Sequence, residues 1–112
     1  MLYPRKPLEF VGTAYADLCA FPRNARREAG HELDLVQQGL DPDDWKPIST
    51  VGAGVREIRL RDVDGAFRIM YVAKFEAAVY VLHCFQKKTQ KTEKHDLDLA
   101  AKRYREVVRE QK

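Results

Sequence analysis

Two consecutive segments, AFRIMYVAKF (66–75) and EAAVYVLHCF (76–85), constrain the fold more than anything else in the chain. Side chains alternate between the two faces of a strand, and here both alternating sets are predominantly apolar, with Arg68 a charge inside the first segment. A strand of that kind cannot leave one face in water, so it belongs in the middle of a sheet covered by other elements. VREIRLR (55–61) precedes them, with Ile58 and Leu60 pointing one way and Glu57, Arg59 and Arg61 the other. DVDG (62–65) lies between, and Asp64-Gly65 is a hairpin signal. A meander of three antiparallel strands with helices on one face is the simplest arrangement.

The cover comes from helical patterns at both ends. Residues 8–20, LEFVGTAYADLCA, place Ala14, Tyr15 and Leu18 at helical steps. Pro22 suits a first helical turn, and Ala25, Ala29, Leu33, Val36 and Leu40 then recur every three or four residues, with Gly39 as the C-terminal cap. These two segments predict a helical hairpin. DPDDWKPISTVGAG (41–54) breaks the periodicity and reads as a loop anchored by Trp45. After residue 93, Leu97, Ala100, Ala101, Tyr104 and Val108 form a last helical stripe, with Asp96 or Thr92 available as cap. The order is α-α-β-β-β-α, an α+β domain with an N-terminal helical hairpin, a three- to four-stranded antiparallel sheet and a C-terminal helix.

A chain of 112 residues with 45% hydrophobic and 33% charged residues fits a single domain, residues 1–112. It has no apolar run near the ~20 residues of a membrane helix, and MLYPRKPLEF lacks the apolar core of a secretion signal. A cytoplasmic protein with no membrane partner is expected. Cys19 and Cys84, far apart and flanked by apolar residues, read as buried free thiols. No HExxH, Cys/His cluster or P-loop occurs, so neither a metal nor another cofactor is expected.

Charge is unevenly spread. Residues 1–45 carry five Lys/Arg against eight Asp/Glu, while residues 46–112 carry fifteen against nine, a net of −3 followed by +6. The second half therefore presents either a polyanion-facing surface or a basic but idle one. Its densest part is FQKKTQKTEKH (85–95), with Lys87, Lys88, Lys91 and Lys94 directly after the third strand. Arg68, the charge within a central strand, must reach a sheet edge, a ligand, or a carboxylate such as Asp62, Asp64 or Glu57. Arg56 lies near the Gly-rich VGAG (51–54), on the other face of its strand from Arg59 and Arg61. His83 shares a face with Val81 and Phe85; a satisfied core histidine is one reading and catalysis the other. Phe85 is either core or a stacking platform for a base, and Tyr71, Tyr80 and Tyr104 read as core or boundary residues.

The strand FRIMY after a glycine turn, the aliphatic strand VYVLHCF and the run Phe85-Gln86-Lys87-Lys88-Thr89-Gln90-Lys91-Thr92 before a Lys-rich helix resemble the phage-derived HigB branch of the RelE superfamily. The resemblance spans most of residues 25–105. It implies a RelE-like fold and a toxin of a type II toxin–antitoxin system: a metal-independent endoribonuclease that cuts messenger RNA on the ribosome. It implies a helix-turn-helix antitoxin as partner. Residue by residue, Arg68 matches the strand arginine at the scissile phosphate, and Lys87 and Lys88 match the catalytic part of the lysine loop. Arg56, His83, Phe85, Lys91 and Lys94 are the expected RNA-binding residues. The chain departs from the family at Glu93, where a proline is usual. Three other readings stay open: a non-catalytic RNA- or ribosome-binding module, a phage protein that uses its sheet edge for protein contacts, and a toxin of the same superfamily with a different chemistry.

Overall fold

A computed structural model describes residues 5–111. Its elements are β1 (Leu8–Phe10), α1 (Ala14–Cys19), α2 (Arg23–Gln37), β2 (Trp45–Pro47), β3 (Val55–Asp62), β4 (Gly65–Val72), β5 (Val79–Lys87) and α3 (Lys94–Glu110). The strands form one five-stranded mixed sheet in the order β1-β5-β4-β3-β2. The α+β class, the hairpin at Asp64-Gly65 and the central place of β4 and β5 follow the sequence reading; several details do not.

Residues 8–10 are not helical. They form an edge strand parallel to β5, with Leu8 opposite Val79 and Phe10 opposite Val81, so only Ala14–Cys19 remains as helix. Trp45–Pro47 likewise is no loop. It pairs antiparallel with β3, and the Arg59 N–H donates to the Asp44 carbonyl at 2.9 Å. Both strands are three residues long, too short for a two-residue alternation to be visible in sequence. They bring the sheet from the expected three or four strands to five.

The helices also occupy both faces rather than one. On the first face, Ala14, Leu18, Phe21, Ala25, Ala29, Leu33 and Val36 from the helical hairpin pack on Ile58, Leu60, Phe67, Ile69, Tyr71, Val79 and Val81. On the second, Ala100 and Val107 of α3 cover Val55, Met70, Val72, Tyr80 and Leu82. Each such aliphatic side chain, fully buried, stabilises the fold by roughly 1.5–3 kcal/mol. The doubly apolar pattern of β4 and β5 requires this two-sided cover. The buried stripe of α3 runs through Val107 rather than Val108, because Asp96, Ala100, Arg103 and Val107 face the sheet.

Local chemistry fixes the ends. Gly39 has φ +84°, its N–H donates to the Val36 carbonyl at 3.0 Å, and the Leu40 N–H donates to the Leu35 carbonyl at 2.9 Å. That is the left-handed cap glycine supplies. Neither Asp96 nor Thr92 caps α3; Glu93 stands at the N-cap without a side-chain bond, and Asp96 turns inward. The VGAG loop lies under Tyr104. A Cβ on Gly52 would stand 2.4 Å from the Tyr104 ring, and the Tyr104 hydroxyl donates to the Ala53 carbonyl at 2.9 Å.

β5 carries a bulge. Its register slips between Met70, opposite His83, and Tyr71, opposite Val81, which leaves Leu82 unpaired. The buried Arg103 donates from Nη1 to the freed Leu82 carbonyl at 2.9 Å. The extra residue lets His83, Phe85 and Lys87 continue along the second face of the sheet. Cys84 is buried, its thiol pushed up to about 12 by that burial, whereas Cys19 is exposed, against the expectation that both are buried. Both are free.

Candidate nucleic-acid interface

α3 covers only part of the second face. Beyond it the strand pairing sets charged residues in rows: Arg59 lies opposite Arg68, which lies opposite Phe85, and Arg61 lies opposite Ala66, which lies opposite Lys87. Neighbouring strands are about 4.8 Å apart, so long cationic side chains from three strands can meet over one small area. They line a cleft of about 530 Å³ with Arg59, Arg61, Arg68, Lys87 and Lys88 on its wall and no carboxylate among its lining residues. Ala66 also lines the cleft, between Arg61 and Lys87 in the strand pairing.

Behind this wall lies a residue that the sequence reading named only as one of three possible partners of Arg68. Glu57 is 0% exposed, and both its carboxylate oxygens lack a hydrogen bond among the described residues. Its Oε1 stands 3.6 Å from Arg68 Nε and 4.0 Å from Lys46 Nζ. A buried carboxylate is tolerated only with compensating charge. The cationic ring is that compensation, and the carboxylate in turn lets so many cations converge. Of the three carboxylates Arg68 could reach, Glu57 is the one it pairs with. The signal available in sequence was an acidic residue alternating in phase with Arg59 and Arg61.

Crowding alters the proton affinities. Arg68, 5% exposed, is lowered from the usual arginine value by burial, with Arg59 and Arg61 adding to the effect against the pull of Glu57. Lys87 is lowered by partial burial and then by the Arg68 charge. Arg68 Nη1 donates to the Phe67 carbonyl at 3.1 Å, which with Glu57 fixes the guanidinium's orientation.

A second hollow of about 260 Å³ adjoins the cleft beneath the lysine loop and shares Lys87, Lys88 and Thr89 with it. Lys91 and Phe85 line it. Phe85 is partly exposed and stacks on His83, with ring centroids 4.8 Å apart and planes at 20°. His83 itself is buried, and its Nε2 lies 2.6 Å from Asp96 Oδ1. It backs the Phe85 ring, and the satisfied-histidine reading fits its Nε2, while Nδ1 has no partner among the described residues.

The structure thus brings together Arg68, Lys87 and Lys88, with Phe85 and Lys91 alongside. It leaves two expected residues elsewhere. Lys94 sits in the first turn of α3, 88% exposed, and pairs with Asp98 at 2.8 Å. Arg56 is on the opposite face of the sheet, where its guanidinium pairs with Asp41 at 2.8 Å and lies 3.9 Å over the Trp45 ring. Odd and even strand positions point apart, so Arg56 and Arg59 cannot share a cleft.

Glu93, His95 and Asp96 bring potential metal-ligand atoms within 4.8 Å of one another, as do His31, Glu32 and Asp43. In the first group His95 Nδ1 lies 3.1 Å from Glu93 and Asp96 holds His83; in the second, Glu32 accepts the Asp43 backbone N–H at 3.2 Å. Among the described residues no helix is long and apolar enough to cross a membrane.

Fold and cleft together define a small α+β domain with a cationic, arginine-floored sheet face. The family model described as Phage derived protein Gp49-like (DUF891) matches residues 16–105, and the chain belongs to that family, which is associated with toxin–antitoxin systems. No curated protein matches the chain.

Proposed function

We propose that this protein is the toxin of a type II toxin–antitoxin system, of the HigB-like branch of the RelE superfamily, and that it cleaves messenger RNA on the ribosome in the cytoplasm. The observation that carries the reading is the convergence of Arg59, Arg61, Arg68, Lys87 and Lys88 on one cleft backed by the buried Glu57. Membership of a family associated with toxin–antitoxin systems supports it. A helix-turn-helix antitoxin is the expected partner.

In this mechanism the ribose 2′-hydroxyl gives its proton to solvent water as its oxygen attacks the adjacent phosphorus, the bond to the 5′-oxygen breaks, and the products are a 2′,3′-cyclic phosphate and a 5′-hydroxyl. The five-coordinate phosphorane carries more negative charge than the substrate, and fixed cations lower its energy most. Arg68, held by Glu57 and the Phe67 carbonyl, meets a non-bridging oxygen. Lys87, whose ammonium gives up a proton more readily than a free lysine, protonates the leaving 5′-oxygen. Lys88 and Lys91 hold neighbouring phosphates, and Phe85 stacks on a base. No step needs a metal.

The test is primer extension on a messenger RNA carried by programmed ribosomes, with wild type, Arg68→Lys and Lys87→Ala. Discrete cuts by the wild type, a loss of roughly a hundredfold or more in single-turnover rate for Arg68→Lys, and unchanged ribosome binding are expected. Ribosome binding without cuts by any form of the protein would instead identify a non-catalytic RNA-binding module.

A further inference from the structure

The first face of the sheet carries a separate cavity of about 770 Å³, between the C-terminal end of α2 and the ends of β3 and β4. We infer that this cavity is a binding site for a small organic carboxylate with an apolar body. The cavity has the size of a small-molecule site. One side is apolar: Val36 lines it, and so does Leu40, which is 53% exposed just beyond the helix cap. The charges on its wall are Lys6, Arg56 and Lys74 against Asp41, a net of +2.

The sharpest indication is Tyr71. It lines the cavity, is 1% exposed, and its buried hydroxyl, beside the Arg56 guanidinium, has no acceptor for its proton among the described residues. A phenol without an acceptor for its proton is costly in such a place. Arg56 stands directly opposite Tyr71 in the β3–β4 register and lines the same cavity. Its Nη1 is engaged by Asp41, and the other guanidinium donors have no carboxylate partner among the described residues. The Trp45 ring beneath it holds the guanidinium in place. Hydroxyl and guanidinium together offer two converging donors, which a carboxylate's two oxygens match. The apolar wall beside them selects an acid with a hydrophobic portion over a bare inorganic anion. Lys6 contributes charge only, because its ammonium already donates to the Ala73 and Phe75 carbonyls at 2.6 and 2.7 Å.

This site lies on the opposite sheet face from the lysine loop, so it stands or falls independently of RNA cleavage. The test is a titration of the 15N-labelled full chain with 4-phenylbutyrate, followed by amide chemical shifts, beside 4-phenylbutylamine and 4-phenylbutan-1-ol. Saturable shifts in the low-millimolar range are expected at residues 37–41, 54–56 and 71–74, with the acid bound at least tenfold more tightly than the amine. Tyr71→Phe, which keeps the buried ring, should weaken the acid by roughly three- to tenfold. Arg56→Gln should weaken it by more than tenfold; if that variant does not fold, Tyr71→Phe decides alone. The inference is overturned if the acid shifts residues 87–91 instead, if amine and acid bind alike, if no saturable shift is seen, or if Tyr71→Phe binds as the wild type does.

Discussion

Removing Arg68 should cost stability as well as activity, and the size of that cost tests the account of the cleft. Glu57 is fully buried without a hydrogen bond, and Arg68 Nε at 3.6 Å is nearer to it than Lys46 Nζ at 4.0 Å. At an effective dielectric constant of about 20, two unit charges at that nearer distance attract by about 4–5 kcal/mol. Breaking a buried pair from one side costs about 3–5 kcal/mol, because the remaining charge is stranded. Arg68→Ala should therefore be destabilised by about 3–4 kcal/mol, a large share of the roughly 5–15 kcal/mol that holds a domain together. At about 4 °C per kcal/mol, its Tm should fall by roughly 12–16 °C. Replacing both partners, Glu57→Leu with Arg68→Met, removes two desolvation costs as well as the attraction. That double variant should return to within about 1 kcal/mol of wild type while losing RNA cleavage. Urea melts and thermal melts of wild type, Glu57→Leu, Arg68→Met and the double variant give the cycle, with Arg68→Ala measured beside them. Should Arg68→Ala stay within 1 kcal/mol of wild type, roughly the value of an exposed pair, Glu57 is not stranded and the buried-pair account is wrong. Should the double variant still cleave RNA, the pair is not part of the active cleft.

Three further outcomes follow from particular contacts. Lys91→Ala should lower the slope of log affinity for single-stranded RNA against log salt by about 0.7, whereas Lys94→Ala, already paired with Asp98, should leave the slope unchanged; equal effects would contradict the placement of Lys94. Gly52→Ala should destabilise by about 1–3 kcal/mol, because its Cβ meets the Tyr104 ring at 2.4 Å. Adding Tyr104→Leu should recover part of that loss, and no recovery in urea melts would place the strain elsewhere. Glu32, a buried residue of α2, has its carboxyl raised from 4.5 by desolvation. Its contribution to stability is thus full below the unfolded value and is lost as pH rises through the folded one. Glu32→Gln, which can still accept the Asp43 N–H, should be at least as stable as wild type near neutral pH. The balance should move toward wild type in acid, and denaturation at both pH values reads the sign; the opposite trend would refute it.

The sequence by itself determined the parts that depend on local pattern. Two doubly apolar strands had to be central, and Asp64-Gly65 had to turn between β3 and β4. Gly39 had to end α2, because only glycine takes its left-handed backbone without strain. The same alternation put Glu57, Arg59 and Arg61 on one face and Arg56 on the other. The lysine loop's place after β5 was also legible, since a charge run directly after a buried strand has to emerge at the sheet's end. Pairing decided the rest. Leu8–Phe10 and Trp45–Pro47 are strands only because long, well-formed neighbours offer them an edge, and a three-residue segment carries no period of its own. The bulge at Leu82 depends on register between strands, and its compensation by Arg103 depends on a helix twenty-one residues away in sequence. Which face α3 covers, and how far, is a packing outcome, and it leaves the end of the second face open for Arg68 and Lys87. That Glu57 is buried among cations, while Arg56 looks into a separate cavity beside Tyr71, follows from three-dimensional neighbours, because the charge of a residue is written in the sequence and its compensation is not.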